Sequence, residues 1–383
     1  MALFKTPEYT LIGSKALEEA KPYLKKCGKK ALIVTGKHVV LSDMMAELKK
    51  ALEEIGIAYF VFDGITGEPT NVMIDEGIAA YKENGCDFCI GIGGGSPLDS
   101  AKAIAAMITN EGKIADYNGK VIEKPIPPVV AIPTTAGTGS EATQFTVITD
   151  VEKDIKMLLK GGYLVPKIAI VDPAYTYSAP KSITAATGMD ALTHAIEAYT
   201  SRKALPVTDT LAVSAVKRIM KYLPAAYKDG SDEKARYEMS VASYEAGICI
   251  NNSTVTLVHG MSRPIGALFY VAHGISNAML LTKCLAFALD GAYEKFANLG
   301  REIGAATAED DDKTASEKFI EPLNEICKIC EIPTLLEYGI PKDEFFAHME
   351  KMAHDALTSG SPGNTMKPIS EQDIIEIYKK LWE

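Results

Sequence analysis

The chain has 383 residues, of which 47% are hydrophobic and 23% are charged, a composition typical of a globular enzyme with two or three domains. Its formal charge of -10 argues against a surface that binds nucleic acid or anionic membranes. The sequence contains neither an apolar run of about 18 residues nor a signal-peptide pattern. We therefore expect a cytoplasmic protein whose partners are small molecules, with no nucleic acid and no membrane among them.

Residues 1–182 predict an α/β domain built on a parallel sheet. Short apolar runs such as KKALIVTG and CDFCIGIGGG alternate with amphipathic segments of helical length. Strands separated by such helices must run parallel, and the helices then cover both faces of the sheet. Later in this domain, TQFTVITDVEKDIKMLLKGG predicts a β-ribbon with charged residues at its turn.

Residues 183–383 predict an all-α domain. After Pro180 the sequence changes to long segments with helical periodicity, of which SITAATGMDALTHAIEAYTS is the first, and runs of β-branched residues become rare. Such a succession is typical of a helical bundle. We therefore place the domain boundary near residue 182.

The segment GIGGGSPLDSAK, between a predicted strand and a predicted helix, indicates a phosphate site. Three consecutive glycines end at Gly95, Ser96 is a favourable N-cap, and Asp99 completes a variant capping box. Glycine backbone can approach a pyrophosphate closely, and the N–H groups of a helix terminus attract its charge. The segment does not match G-x-G-x-x-G, so a glycine turn that only caps a helix is the alternative.

A second segment, PTTAGTGSEAT, follows the next predicted strand. Thr134, Thr135 and Thr138 offer hydroxyl groups to a phosphate or a ribose. Ligands of open α/β sheets bind at the carboxyl ends of the strands, where both segments would lie. Taken alone, this segment is equally compatible with an ordinary loop, but together the two segments favour a nucleotide site.

Four side chains in the second half form a candidate metal site. Asp190 and His194 are four residues apart in a predicted helix and therefore project from one face. His259 and His273 lie in apolar stretches. One carboxylate with three imidazoles suits Fe²⁺ or Zn²⁺ and is too rich in nitrogen for Mg²⁺ or Ca²⁺. Alternatively, Asp190 and His194 are solvent-exposed side chains that bind no metal.

Seven cysteines include two C-x-x-C pairs, Cys86 with Cys89 and Cys327 with Cys330. A zinc ribbon formed by both pairs is one interpretation. We favour buried thiols, because the alternation of a strand would not place Cys86 and Cys89 on one face. Free cysteine often packs as a small hydrophobic residue.

Five motifs, in this order, resemble those of the iron-dependent (group III) alcohol dehydrogenases: GGGSPLDSAK, PTTAGTGSE, TAATGMDALTHAIEAY, LVHGM and AHGISNAMLL. The resemblance covers nearly the whole chain. It implies a Rossmann-like N-terminal domain, a helical C-terminal domain and a nicotinamide cofactor that exchanges hydride with the substrate carbon. It also implies a metal, Fe²⁺ or alternatively Zn²⁺, that polarises the substrate oxygen, and an assembly of at least two copies.

The resemblance assigns site residues motif by motif. The metal ligands, through which catalysis occurs, would be Asp190, His194, His259 and His273. The pyrophosphate and the nicotinamide side of the cofactor would be held by Gly94, Gly95, Ser96 and Asp99. The cofactor would further be lined by Thr134, Thr135 and Thr138, and its ribose would be approached by Lys156.

Three positions depart from the family pattern. Gly36 stands where many members carry an aspartate that binds the adenosine ribose, and Lys37 and His38 follow it. We therefore predict a preference for NADP(H) over NAD(H). Arg263 replaces a histidine near the nicotinamide and is a poor general base. Ile250 replaces an aromatic residue of the substrate pocket, which predicts a roomier pocket.

The sequence thus predicts a metal-dependent, NADP(H)-linked alcohol dehydrogenase or aldehyde reductase for small primary alcohols, diols or their aldehydes. A polyol enzyme similar to glycerol dehydrogenase is the first alternative, although such enzymes usually lack the full set of four ligands. A lyase of the dehydroquinate synthase type is the second. Its phosphorylated substrate would require more Lys and Arg near the ligands than Arg263 alone. A nucleotide-binding module without catalysis would leave the four ligands unexplained.

Overall fold

The computed structural model describes residues 3–383, and the chain divides after Ser178 into two compact units. This division falls four residues before the boundary predicted from the sequence. The first unit contains a parallel sheet with helices, and the second is helical. The predicted fold class, an α/β domain followed by an all-α domain, is confirmed. None of the helices in the described part of the chain is long and apolar enough to span a lipid bilayer.

The main sheet of the first unit has six strands. These strands are β1 (Tyr9–Ile12), β2 (Lys30–Val34), β3 (Ala58–Phe62), β4 (Phe88–Gly93), β5 (Val129–Pro133) and β8 (Ile168–Val171). They lie in the order β1-β8-β5-β4-β2-β3, and all neighbouring strands run parallel. The predicted ribbon is also present, as the antiparallel pair β6 (Phe145–Asp150) and β7 (Ile155–Lys160).

Helices cover both faces of this sheet. They are α1 (Ala16–Leu24), α2 (Lys37–Val40), α3 (Asp43–Glu54), α4 (Asn71–Glu83) and α5 (Gly95–Thr109). Ala31 and Ile33 of β2 pack with residues of α1 and α3, whereas Leu32 and Val34 pack with residues of α4 and α5. Because both faces are covered there, the inner strands β2, β4, β5 and β8 are buried almost throughout rather than at alternate residues, whereas the edge strands β1 and β3 are partly exposed.

The order of the strands creates a crevice between β2 and β4. From β2 the chain continues to β3 on one side, and from β4 it continues to β5 and β8 on the other. The Thr35 hydroxyl, just after β2, donates a hydrogen bond to the Ile92 carbonyl oxygen of β4 at 2.8 Å. Such a reversal of direction is where open α/β sheets bind ligands. Gly36 and the glycines at 94 and 95 follow these two strands.

The second unit consists of nine helices within the described residues. They are α6 (Lys181–Tyr199), α7 (Pro206–Lys228), α8 (Glu233–Asn252), α9 (Leu257–Phe269), α10 (His273–Ala288), α11 (Tyr293–Glu302), α12 (Asp312–Ile329), α13 (Lys342–Thr358) and α14 (Glu371–Lys379). The central helix is α6, in which fifteen of 19 residues are buried. It carries Asp190, His194 and Glu197 into the interior, where charged groups require partners.

The seven cysteines are unpaired thiols, and all except Cys327 are buried. Burial raises the pKa of Cys327 to about 12 and that of Cys330 to about 12. Thiolate ligands are therefore unfavourable at this pair. Within residues 3–383, no cysteine belongs to a group of three or more potential metal ligands. These observations favour the buried thiols over the zinc ribbon.

Candidate functional site

The two segments predicted to hold a nucleotide lie side by side at the carboxyl ends of β4 and β5. A Cβ atom built on Gly94 would lie 3.7 Å from the Thr135 side chain, and one on Gly95 would lie 2.9 Å from Thr138 Cγ2. The Thr134 N–H donates to the carbonyl oxygen of Gly93 at 2.8 Å. The glycine segment and the threonine loop thus form one half-buried surface, which we call the glycine cradle. It comprises Gly94, Gly95, Ser96, Thr134, Thr135 and Thr138.

The start of α5 differs from the prediction. Ser96 is not the N-cap, because Gly94 occupies that position and the helix makes no side-chain capping bond. The first residue of the helix, Gly95, lacks Cβ and can therefore approach Thr138 closely. The predicted capping box is also wrong, since the Asp99 carboxylate accepts hydrogen bonds from Ser140 Oγ at 2.5 Å and Val147 N at 2.8 Å. The first turn of α5 is therefore without a side-chain cap, as suits an anion site.

Lys102, to which the sequence analysis assigned no role, is fully buried beneath the glycine cradle. Its Nζ donates to Ser140 Oγ at 2.8 Å, Thr143 Oγ1 at 3.2 Å and the Phe145 carbonyl oxygen at 2.9 Å. Burial lowers the pKa of Lys102 to about 8, although the nearby Asp99 carboxylate acts in the opposite direction. Lys102 and Asp99 together fasten the threonine loop to α5. Asp99 therefore supports the cradle from within.

Two further residues predicted to contact the cofactor have other partners in the structure. Gly36 forms an isolated β-bridge with Gly64, and a Cβ atom at Gly36 would lie 2.8 Å from the Ile65 carbonyl oxygen. A side chain here would displace the backbone, so packing gives an additional reason for the glycine. Lys156 is exposed on β7, and its Nζ lies 2.5 Å from Glu68 Oε1.

Gly94→Ala should weaken dinucleotide binding by at least about tenfold, or about 1.4 kcal/mol, without unfolding the protein. The new methyl group has ordinary contacts inside the protein, 3.7 Å from Thr135, and would obstruct only an approaching pyrophosphate. Fluorescence titration with NADPH and thermal unfolding measure the two effects. Gly67→Ala is the control, because a Cβ atom there meets nothing within 4 Å. Equal affinities in both variants would show that Gly94 is remote from the ligand.

The candidate metal cluster lies in the helical unit, where α6, α9 and α10 contribute its four side chains. Asp190 Oδ1 lies 3.7 Å from His194 Nε2, 3.4 Å from His259 Nε2 and 3.6 Å from His273 Nε2. The rings of His194 and His259 stack with their centroids 4.6 Å apart. Asp190, His194 and His259 are buried, whereas the His273 side chain is 43% exposed. The cluster is therefore accessible from the His273 side.

Asp190, His259 and His273 each offer a ligand atom within 4.8 Å of the others, a spacing that fits a divalent metal, and His194 joins this group through Asp190. Tetrahedral ligand atoms about 2.1 Å from a metal are about 3.4 Å apart, and the Asp190 oxygen lies 3.4–3.7 Å from the three nitrogens. One carboxylate oxygen and three imidazole nitrogens are ligands suited to Fe²⁺ or Zn²⁺. The residues present thus fit the metal that the sequence predicts.

A glycine explains how α10 brings His273 to the cluster. Gly274 follows His273, and a Cβ atom on it would lie 2.0 Å from the carbonyl oxygen of Ala186. Ala186 lies one turn before Asp190 in α6. Only a residue without a side chain permits this approach of the two helices. The glycine of the AHG motif therefore has a packing function that positions its neighbouring ligand.

Glu197, which is fully buried in α6, orients the His259 ring. Its Oε2 lies 2.5 Å from His259 Nδ1, and its Oε1 accepts hydrogen bonds from Thr256 Oγ1 at 2.8 Å and Val258 N at 2.6 Å. A carboxylate can only accept, so Nδ1 carries a proton, and Nε2 is the ring nitrogen that can bind a metal. Glu197 was not predicted from the sequence, although its spacing of three residues from His194 within an apolar helix was a usable signal.

The electrostatics of the cluster favour a bound cation. Burial opposes the charge of Asp190, but the imidazoles, His194 foremost, hold its pKa well below the usual range. Burial likewise opposes a charge on His259, yet Glu197 and Asp190 raise its pKa to about 9. The two carboxylates thus place negative charge beside the point where the imidazoles meet.

Asn277, one turn after His273, is a second residue that the sequence analysis missed. Its Nδ2 lies 2.8 Å from Asp190 Oδ1 and 3.2 Å from the Nε2 atoms of both His259 and His273. Its Oδ1 is buried and has no hydrogen-bond partner in the described chain. Buried polar atoms are rarely left unpaired, so this oxygen also fits a site that takes up a further group.

The two residues predicted to line the substrate pocket lie on different helices. Arg263 is on α9, four residues after His259, and its Nη1 donates to Ser361 Oγ at 3.1 Å. Ile250 is buried near the end of α8, and its contact with a substrate remains a prediction.

A parallel α/β unit with a glycine cradle, followed by a helical unit with one carboxylate and three imidazoles, is an arrangement typical of oxidoreductases that use a dinucleotide and a metal. The chain belongs to the iron-containing alcohol dehydrogenases. Residues 7–173 match the family model described as "Iron-containing alcohol dehydrogenase". Residues 184–382 match "Fe-containing alcohol dehydrogenase family, C-terminal".

Relatives of similar length support the same family. The chain is 38% identical over 382 residues to an NAD-dependent methanol dehydrogenase of Bacillus methanolicus, with 99% of each chain covered. It is 34% identical to lactaldehyde reductase of Escherichia coli (strain K12), with 92% of each covered. A solved structure of 1,3-propanediol oxidoreductase, 34% identical, matches with a TM-score of 0.95 over 100% of both chains. The protein is therefore an oxidoreductase that acts on alcohols or aldehydes.

Proposed function

We propose that this protein is an Fe²⁺-dependent enzyme that transfers hydride between NADP(H) and small primary alcohols, diols or their aldehydes. The observation that carries the proposal is the position of Asp190 Oδ1, which lies 3.4–3.7 Å from three imidazole nitrogens. Relatives named for methanol, lactaldehyde and 1,3-propanediol support small oxygenated substrates. We further expect the enzyme to work in the cytoplasm as an assembly of at least two copies.

The four ligands would hold the metal, which when bound supplies Lewis acidity toward the substrate oxygen. Glu197 keeps the proton of His259 on Nδ1, so that Nε2 can serve as a ligand. The partly exposed His273 marks the side from which a substrate oxygen can approach. The glycine cradle would hold the pyrophosphate against the first turn of α5. Lys156 would approach the ribose by exchanging its ion pair with Glu68.

The proposed preference for NADP(H) rests on Gly36, Lys37 and His38. Lys37 and His38 are exposed on α2, next to the crevice between β2 and β4. Basic side chains at this position can bind a 2′-phosphate, and Gly36 provides no carboxylate to repel it. The name of the Bacillus methanolicus relative refers to NAD, so both cofactors require direct comparison.

Metal removal followed by reconstitution tests the proposed function. The protein is stripped with a chelator, Fe²⁺ or Zn²⁺ is restored separately, and oxidation of NADPH or NADH is followed with aldehydes of two to six carbons. We expect no turnover without metal, recovery with Fe²⁺, and a higher kcat/KM with NADPH than with NADH. If turnover is the same before and after metal removal, the reaction does not depend on the metal. A higher efficiency with NADH contradicts only the cofactor preference.

A further inference from the structure

Arg263 lies beside the metal cluster, one turn along α9 from His259. Residues four apart lie on the same face of a helix, with Cβ atoms about 5–6 Å apart. The Arg263 side chain thus projects from the same face of α9 as His259, the face on which a substrate bound to the cluster would lie.

This guanidinium has few partners inside the protein. Its hydrogen bond to Ser361 Oγ at 3.1 Å uses one of five donors, and within residues 3–383 it forms no ion pair with a carboxylate. Glu197 acts on it electrostatically, but Glu197 is already bound to His259 and Thr256.

The other arginines of the chain are better compensated. Each has a carboxylate partner or at least two hydrogen bonds: Arg202, Arg218, Arg236 and Arg301. Burial lowers the pKa of Arg263, yet an arginine remains protonated in proteins. Arg263 is partly buried, and a charge shielded from water without a counter-charge is unfavourable to the fold; such groups are typical of binding sites.

We propose that Arg263 binds an oxyanion of the substrate, so that the preferred substrates are short aldehydes, or the corresponding alcohols, that carry a carboxylate, sulfonate or phosphonate group. This inference rests on the proposed function and specifies its substrate class. The planar guanidinium matches a carboxylate in a bidentate arrangement. The oxyanion takes no part in hydride transfer, and it holds the carbonyl carbon in place. A cationic substrate would be repelled from the same position.

Two aldehydes of similar length and branching test the proposal with the metal-loaded enzyme. They are 4-oxobutanoate and 4-methylpentanal, in which an isopropyl group replaces the carboxylate. We expect kcat/KM of the wild type to favour 4-oxobutanoate by at least about tenfold, since hydrogen bonds to charged groups are the stronger kind. Butanoate, which has no aldehyde, should compete with 4-methylpentanal.

Three variants separate recognition of the oxyanion from a structural role. Arg263→Gln should lower kcat/KM for 4-oxobutanoate by about 10–100-fold, mainly through KM, with a much smaller effect on 4-methylpentanal and loss of inhibition by butanoate. Arg263→Lys should retain part of the discrimination because it keeps the charge. Ser361→Ala removes the hydrogen bond between Ser361 and the Arg263 guanidinium. This variant should still prefer 4-oxobutanoate to 4-methylpentanal.

The possible failures are distinguishable. If the wild type reduces 4-methylpentanal at least as well as 4-oxobutanoate, the inference is wrong and the proposed function stands. The inference is also wrong if Arg263→Gln lowers kcat/KM equally for both aldehydes. It is wrong, too, if this variant weakens NADPH binding but keeps the wild-type preference for 4-oxobutanoate. If the metal-loaded enzyme turns over neither aldehyde but reduces other aldehydes of two to six carbons, the inference is wrong and the proposed function stands; if it reduces none of them, the proposed function is wrong as well.

Discussion

Replacing His273 with alanine should abolish metal binding and lower kcat/KM about 1,000-fold, equivalent to about 4 kcal/mol. The reason is the loss of one of four ligands and, with it, the Lewis acid that polarises the substrate oxygen. His273 is the best ligand to remove, because its side chain is 43% exposed, so its truncation leaves little buried space. His259 is less suitable, since its loss would leave the Glu197 carboxylate buried and unpaired.

Metal content by atomic absorption and steady-state kinetics measure the two effects of His273→Ala. His354→Ala is the matched control, because His354 is also a partly exposed histidine on a helix of the same unit, with a side chain 68% exposed. We expect the control to retain metal and activity. A His273→Ala enzyme that keeps stoichiometric metal and more than about a tenth of the wild-type efficiency would remove His273 from the ligand set.

Glu197→Gln should weaken metal binding by about 10–100-fold, the usual consequence of removing a group that orients a ligand. An amide N–H can donate to His259 Nδ1, which would move the ring proton to Nε2, the atom needed by the metal. The substitution also removes a negative charge beside the cation. Metal affinity is measured by competition with a chromogenic chelator, and the spectrum of the Co²⁺-loaded protein reports the ligand geometry.

Glu245→Gln is the control for this experiment. Glu245 is a mostly buried acid on α8 that accepts a hydrogen bond from Ser214 at 2.9 Å and pairs with Arg218, without contact with the cluster ligands. It should cost some stability and leave metal affinity unchanged. Equal metal affinities of Glu197→Gln and wild type would show that Glu197 serves the packing of α6 and α9 alone.

The architecture could be predicted from the sequence because it depends on patterns that local residues determine. Continuous apolar runs indicated strands buried on both faces, and helical periodicity indicated the second unit. The structure also brings Asp190, His194, His259 and His273 together. For the pair on α6, a spacing of four residues sufficed. Only the sequence motifs suggested that His259 and His273 lie near Asp190 and His194, because local periodicity does not reveal contacts between separate helices.

Other features depend on contacts between distant segments and were missed for that reason. Asp99 resembled a capping residue, but its carboxylate is used by Ser140 and Val147, more than forty positions away. Glu197 and Asn277 resembled ordinary polar residues until the fold placed them against the ligands. Nothing in the local sequence shows that a side chain at Gly36 would meet the Ile65 carbonyl oxygen.

The most direct test of the metal site is anomalous diffraction from crystals of the Fe²⁺-loaded protein, recorded on both sides of the iron absorption edge. The structure predicts a single strong peak, present only above the edge, within about 2.0–2.2 Å of Asp190 Oδ1 and the Nε2 atoms of His194, His259 and His273. Iron located elsewhere, or four side chains that remain together without density between them, would contradict the proposed metal centre.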